Sequence, residues 1–254
     1  MKRMLSYFKP LNRLARAQAK WRANHGSSIG SGAIDPAQQV VNLLGGELPA
    51  PDTPLLERDI ISLDFETTGL NPDKDQILSI GYVEMQNGML NLSSCEETFI
   101  KDSSGINARS AIINQITPEM LTSGQALDEA MDTLLAKMAG KIVLVHGLTV
   151  EKSFLEHYLQ QRFGIPLPPI LWLDTLLIEK MMVTNRHMRE EGDYRLSSIR
   201  QRYGLPEYPS HGALIDAVAT GELLLALLNK CFGRATPRLE EVYDMHHYDL
   251  TVAD

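Results

Sequence analysis

From residue 59 onward, short apolar runs alternate with stretches of helical periodicity. Residues 60–63 form a compact apolar run of strand length, followed by a second at 77–85 and a third near 92–100. Gln86-Asn87-Gly88 between the latter two is a hairpin signal, because Asn and Gly tolerate the positive φ that a tight turn demands. Residues 127–138 repeat their apolar positions every three to four residues, which predicts a helix, and 142–145 reads as a short buried strand. Val150, Phe154, Leu155, Tyr158 and Leu159 mark the next helix, and 170–173 the next strand. After an Arg/Glu-rich loop at 185–193, two more helices are expected, at 196–203 and 213–228. Three strands in a meander, followed by alternating helices and strands, predict an α/β domain around a mixed sheet.

The first 55 residues have a different texture. Residues 10–22 predict an amphipathic helix: Pro10 suits a first turn, and Leu11, Leu14, Ala17 and Trp21 share one face, with Arg13, Arg16 and Lys20 elsewhere. A Gly/Ser-rich linker at 26–32, a short helix at 36–45 and a Pro-rich stretch at 49–54 follow. The expected organisation is a basic amphipathic extension and linker (1–55), an α/β domain (56–233) and a weakly patterned tail (234–254).

Charge sharpens this division. The net charge is −8, yet residues 1–26 carry seven Lys/Arg and no acid, so the rest holds 17 basic against 32 acidic residues. An acidic body is a poor general binder of phosphate. It suits a protein that concentrates carboxylates around divalent metal and grips its substrate locally. The basic segment has three readings: tethering nucleic acid, docking on a protein partner through its apolar stripe, or a solvated helix without special role. A composition of 44% apolar and 22% charged residues fits a globular protein, and no apolar run is long enough for a membrane span. No cleavable leader is expected. Cys95 and Cys231 have no second Cys or His at ligand spacing, so plain thiols in a cytoplasmic protein are expected.

The sharpest local feature is Leu63-Asp64-Phe65-Glu66-Thr67-Thr68-Gly69. Side chains alternate along a strand, so Asp64 and Glu66 project from one face, about 7 Å apart, and Phe65 points to the core. Two acids so placed repel unless a cation lies between them, and carboxylate oxygen is the ligand that magnesium and manganese prefer. The plain alternative is a strand ending in a solvated acidic turn.

Asp64-Phe-Glu66-Thr-Thr-Gly69 resembles the first motif of the DnaQ-like exonucleases, the DEDDh group of the RNase H-like superfamily, which includes the proofreading subunit of bacterial replicative polymerase. Val145-His146-Gly147 with Glu151 and Phe154-Leu155 resembles the second motif, and His211-Gly-Ala-Leu-Ile-Asp216-Ala217 the third. Leu173-Asp174-Thr175 and Leu196 through Gly204 resemble intervening elements, so the likeness covers roughly residues 58–232. The resemblance implies an RNase H-like fold, a central mixed five-stranded sheet flanked by helices. It also implies two divalent ions, Mg2+ or Mn2+, held by Asp64, Glu66, Glu151 and Asp216, with Asp64 bridging and His211 as general base. Thr67, Thr68 and Leu70 would meet the terminal nucleotide. The implied reaction is 3′–5′ removal of nucleoside 5′-monophosphates from single-stranded DNA or RNA ends, in proofreading, repair or RNA trimming.

The chain departs from the family's pattern in its second motif, with Glu151 for the usual aspartate, Gly147 for an asparagine and Val150 for a phenylalanine. These departures favour an alternative: a catalytically weakened or silent exonuclease-fold protein acting as a nucleic-acid-binding or polymerase-accessory scaffold. Read singly, His146 is a core or cap histidine, Asp174 an ordinary N-cap and Phe154 a packing residue.

Overall fold

The computed structural model describes residues 10–25, 36–101, 116–183, 186–208 and 212–247. Two helices, α1 (Pro10–His25) and α2 (Pro36–Leu44), precede the sheet. Strands β1 (Ile60–Thr67), β2 (Ile77–Gln86) and β3 (Met89–Phe99) form the meander, with Asn87 and Gly88 both at positive φ in its hairpin turn. Then come α3 (Pro118–Thr122), α4 (Leu127–Met138), β4 (Ile142–Val145), α5 (Thr149–Phe163), β5 (Trp172–Asp174), α6 (Thr175–Met182), α7 (Arg186–Glu191), α8 (Leu196–Arg202), α9 (Ala213–Phe232) and α10 (Leu239–His247).

The strands pair as the expected five-stranded mixed sheet, and their order is β3-β2-β1-β4-β5. β1, β2 and β3 are antiparallel neighbours, while β4 and β5 run parallel to β1. The twofold alternation of β1 divides its residues between two cores. Ile61, Leu63 and Phe65 pack with Met131, Leu134 and Leu135 of α4 and Phe154, Leu155 and Leu159 of α5. On the other face Ile60 joins Ile142, Leu144 and the α9 leucines Leu223, Leu224, Leu227 and Leu228. Ser62, Asp64 and Glu66 share this second face, and the buried Ser62 hydroxyl donates to the Ala217 carbonyl of α9 at 2.7 Å. β4 runs alongside only Ile60–Ser62, so the last turnings of β1 extend past the parallel half of the sheet.

Gly81 sets how closely α9 approaches. It lies opposite Asp64 in the β1–β2 register and opposite Glu97 in the β2–β3 register. A Cβ at Gly81 would stand 2.1 Å from the Ala213 carbonyl carbon and the Leu214 nitrogen. The helix therefore begins directly on the strand backbone, and its first turn carries Asp216 over β1.

Several elements go beyond the sequence reading, the short helix α3 among them. The expected loop at 185–193 contains helix α7; an Arg/Glu-rich turn with no apolar stripe gives periodicity nothing to detect. The tail contains α10, whose Leu239, Val242 and Tyr243 are buried in the second core at i, i+3 and i+4 spacing. Part of the α1 stripe is buried within this chain, while Ala17 stays exposed. Leu11 and Trp21 are buried in the two cores, and Arg22 donates to Gln18 Oε1 at 3.0 Å and to the Gly46 carbonyl. Burying one such apolar side chain contributes about 2 kcal/mol. Gln18 lies beside Gly140–Ile142 and Ile170–Leu171, where β4 and β5 begin. The exposed basic face of α1 thus sits at the end of the sheet opposite the carboxylates.

Candidate active site

Asp64 and Glu66 come from the end of β1, and Asp216 from the first turn of α9. One carboxylate oxygen from each lies within 4.8 Å of the other two. Divalent ions with ligand oxygens at about 2.1–2.4 Å impose separations of this order between neighbouring ligands. The fold thus brings three acids, 152 residues apart at the extremes, to one point.

Their electrostatics describe a site built for positive charge. Burial holds Asp64 well above the usual carboxylate range, and Glu151, Asp216, Glu66 and Glu97 push it in the same direction. Glu66 is raised to about 7 by burial, then by Asp216 and Glu97. A bound cation inverts this logic, because its charge outweighs the repulsion that keeps the protons on.

Glu151 stands in the first turn of α5, 4% exposed, and is not a member of the tight trio. It is nevertheless the strongest of the charges acting on Asp64. Burial raises it to about 8, against the lowering effect of its own amide and that of Phe65. Its Oε2 is buried with no hydrogen-bond partner among the described residues. An orphaned buried carboxylate oxygen beside three other acids is costly unless a cation meets it, so the donor set fits divalent metal.

The turn that delivers Glu151 is held from outside its own helix. The cap residue of α5, Leu148, makes no side-chain capping bond. Asp174, 2% exposed at the end of β5, takes that role: Oδ1 accepts from the amides of Gly147 and Leu176, and Oδ2 from the amide of Leu148, each at 2.9 Å. The expected N-cap of α6 therefore also clamps the start of α5. Gly147 sits at φ +91°, in the left-handed region where a side chain is strained, which accounts for glycine there. His146 bonds Thr175 Oγ1 and the Tyr194 carbonyl, both at 2.8 Å, and burial lowers its pKa, so it is a neutral core histidine as read.

Beyond β1, Thr67 Oγ1 donates to the Gly69 carbonyl at 2.6 Å. Thr68 Oγ1 donates to Asp75 Oδ1 and accepts from the Gln76 amide. These hydroxyls shape a loop that presents Leu70 to solvent at 77% exposure. His211 lies outside the described residues. Glu97 is the acid that sequence reasoning missed. It stands across Gly81 from Asp64, accepts a hydrogen bond from Ser79 Oγ at 3.3 Å, and acts on both Asp64 and Glu66. Only the strand register reveals it. Both cysteines are free thiols.

The model of the exonuclease family matches residues 61–224. Among curated relatives, the PolC-type DNA polymerase III of Thermotoga petrophila is 30% identical over 73% of this chain. A DNA polymerase III subunit epsilon-like protein of Rhodobacter capsulatus is 30% identical over 72% of it. The chain spans 13% of the first protein and 26% of the second. Among solved structures, exonuclease X in complex with 5′ overhanging duplex DNA superposes with a TM-score of 0.53 at 17% identity, over 73% of this chain and 98% of that one. The nuclease domain of 3′hExo, a DEDDh family member, bound to rAMP, gives 0.58 at 14% identity, over 71% and 96%. With the motifs, the sheet order and the family match in agreement, the chain belongs to the exonuclease family and carries a DnaQ-like exonuclease domain of RNase H-like fold.

Proposed function

We propose that this chain hydrolyses the terminal phosphodiester at single-stranded 3′ ends of DNA or RNA, releasing nucleoside 5′-monophosphates. The observation that carries the reading is the convergence of Asp64, Glu66 and Asp216 within 4.8 Å, with the orphaned Glu151 oxygen beside them. Glu151, Asp216, Glu66 and Glu97 all act on Asp64, which would hold Mg2+ or Mn2+ together with Glu66, Glu151 and Asp216. Glu66 and Asp216 complete one side of the site and Glu151 the other. Bound divalent ions would supply the charge that acidifies water and stabilises the attacking and leaving oxygens of an in-line displacement. His211, five positions before Asp216, takes the proton of the attacking water, a task suited to the near-neutral pKa of an imidazole. The loop at Thr67–Thr68 receives the terminal nucleotide, with Leu70 as an apolar wedge against its base. Digestion of single-stranded DNA, duplex DNA and RNA in parallel, with and without Mn2+, tests the reading and ranks the substrates. Metal-dependent mononucleotide release supports it, and a folded protein inert on all three contradicts it.

The position of Glu151 outside the trio favours a second reading, a silent accessory that binds nucleic acid without cleaving it. Calorimetry with Mn2+ and a nucleoside monophosphate separates the two. Two bound ions support the nuclease, and none supports the accessory.

A further inference from the structure

A cavity of about 300 Å³ between α8 and α9 reaches Asp216 of the carboxylate trio. Asp216 and Ala219 of α9, Ser197 and Gln201 of α8, and Tyr208 line it. Tyr208 is 39% exposed yet makes contacts through both its hydroxyl and its ring. Its hydroxyl donates to Glu222 Oε1 at 2.9 Å, and its ring lies 4.7 Å from the guanidinium carbon of Arg200. Arg200 is buried and already satisfied by the Ala219 and Pro206 carbonyls and Glu222 Oε2, at 2.7, 2.9 and 2.8 Å. The ring is therefore not required to neutralise the arginine. What remains is a part-exposed aromatic ring, tethered through its hydroxyl, in a cavity that Asp216 also lines.

Resting on the proposed nuclease reading, we infer that this cavity receives the penultimate nucleoside of the strand, with its base stacked on Tyr208. The terminal nucleoside is assigned to the loop after β1, and the cavity shares no residue with that loop. A strand that places its scissile phosphate at Asp64 and continues past Asp216 enters the cavity next. Stacking also answers the charge problem. A body with 17 basic against 32 acidic residues after position 26 gains little from counterion release, whereas a π-face binds any base without added charge.

The test uses the full chain with single-stranded oligonucleotides carrying 2-aminopurine at the penultimate or the terminal position, with Ca2+ present so that binding is read without turnover. Tyr208→Leu should abolish the stacking-induced quench of the penultimate probe and spare that of the terminal probe, while Tyr208→Phe retains both. With Mn2+, KM for the oligonucleotide should rise by about 5- to 150-fold in Tyr208→Leu. The change for thymidine 5′-(4-nitrophenyl phosphate), which has no penultimate nucleoside, should be at least fivefold smaller. A penultimate quench that survives Tyr208→Leu, or equal losses on both substrates, overturns the inference. Absence of ester hydrolysis by wild-type protein that still quenches the penultimate probe would instead defeat the nuclease reading alone.

Discussion

Gly81 and Ala213 meet backbone to backbone: a methyl group on the glycine would lie 2.1 Å from the Ala213 carbonyl carbon. The contact couples the middle strand of the meander to the helix that carries Asp216. No flexible side chain can give way, so Gly81→Ala must displace α9 from β1. We expect a loss of about 1–3 kcal/mol of stability and a larger proportional loss of Mn2+ affinity, read by denaturant melts and calorimetry. A variant of wild-type stability and affinity would show that the close approach has no role.

Asp174 offers a test of positioning. An asparagine there keeps one acceptor oxygen but turns an NH2 toward one of the amides that Oδ1 and Oδ2 now receive. Glu151 then loses the fixed turn on which it stands. Asp174→Asn should lower kcat by about 10- to 100-fold and raise the Mn2+ concentration for half-maximal rate, with KM for the oligonucleotide nearly unchanged. A rise in KM alone would place Asp174 in substrate binding.

The raised carboxylates make the metal-free protein sensitive to pH. Glu66 is held at about 7 and Glu151 at about 8, from an ordinary value of 4.5, and Asp64 is raised as well. Between pH 4.5 and 8 the folded chain binds more protons than the unfolded one at these groups. Their contribution to stability is therefore greatest below that window and is lost as pH rises through it. Thermal melts in EDTA should show a lower Tm at pH 8 than at pH 5, and Mn2+ should raise Tm most at pH 8. A Tm that climbs with pH in EDTA would contradict the charge crowding described.

Glu151→Gln separates stability from function. The amide has nearly the same shape and removes the strongest charge acting on Asp64. In EDTA at pH 8 the variant should melt above wild type, while nucleotide release falls by about a hundredfold or more. Wild-type activity in this variant would exclude Glu151 from the chemistry and move the second-motif role elsewhere.

Much of this was legible in the sequence because short-range rules govern it. Alternation put Asp64 and Glu66 on one face and Phe65 on the other, and the Asn87-Gly88 turn marked the hairpin. Asp174 was legible as a cap of α6, but its grip on Leu148 spans 26 residues and follows from β5 lying beside β4. Glu97 was illegible for the same reason, since its place beside Asp64 depends on two strand registers meeting at Gly81. The stripe on α1 was visible, but its destination was not: amphipathicity states that a face will be buried and is silent about what buries it.

Whether the carboxylates perform metal-dependent cleavage is decided by comparing Asp64→Ala with wild type in release of nucleoside 5′-monophosphate from a single-stranded oligonucleotide in Mn2+. Wild type should release nucleotide steadily, with release abolished by EDTA, and Asp64→Ala should release none although it folds and still binds the strand. Equal release by both proteins, each free of contaminating nuclease, would contradict that role for the carboxylates.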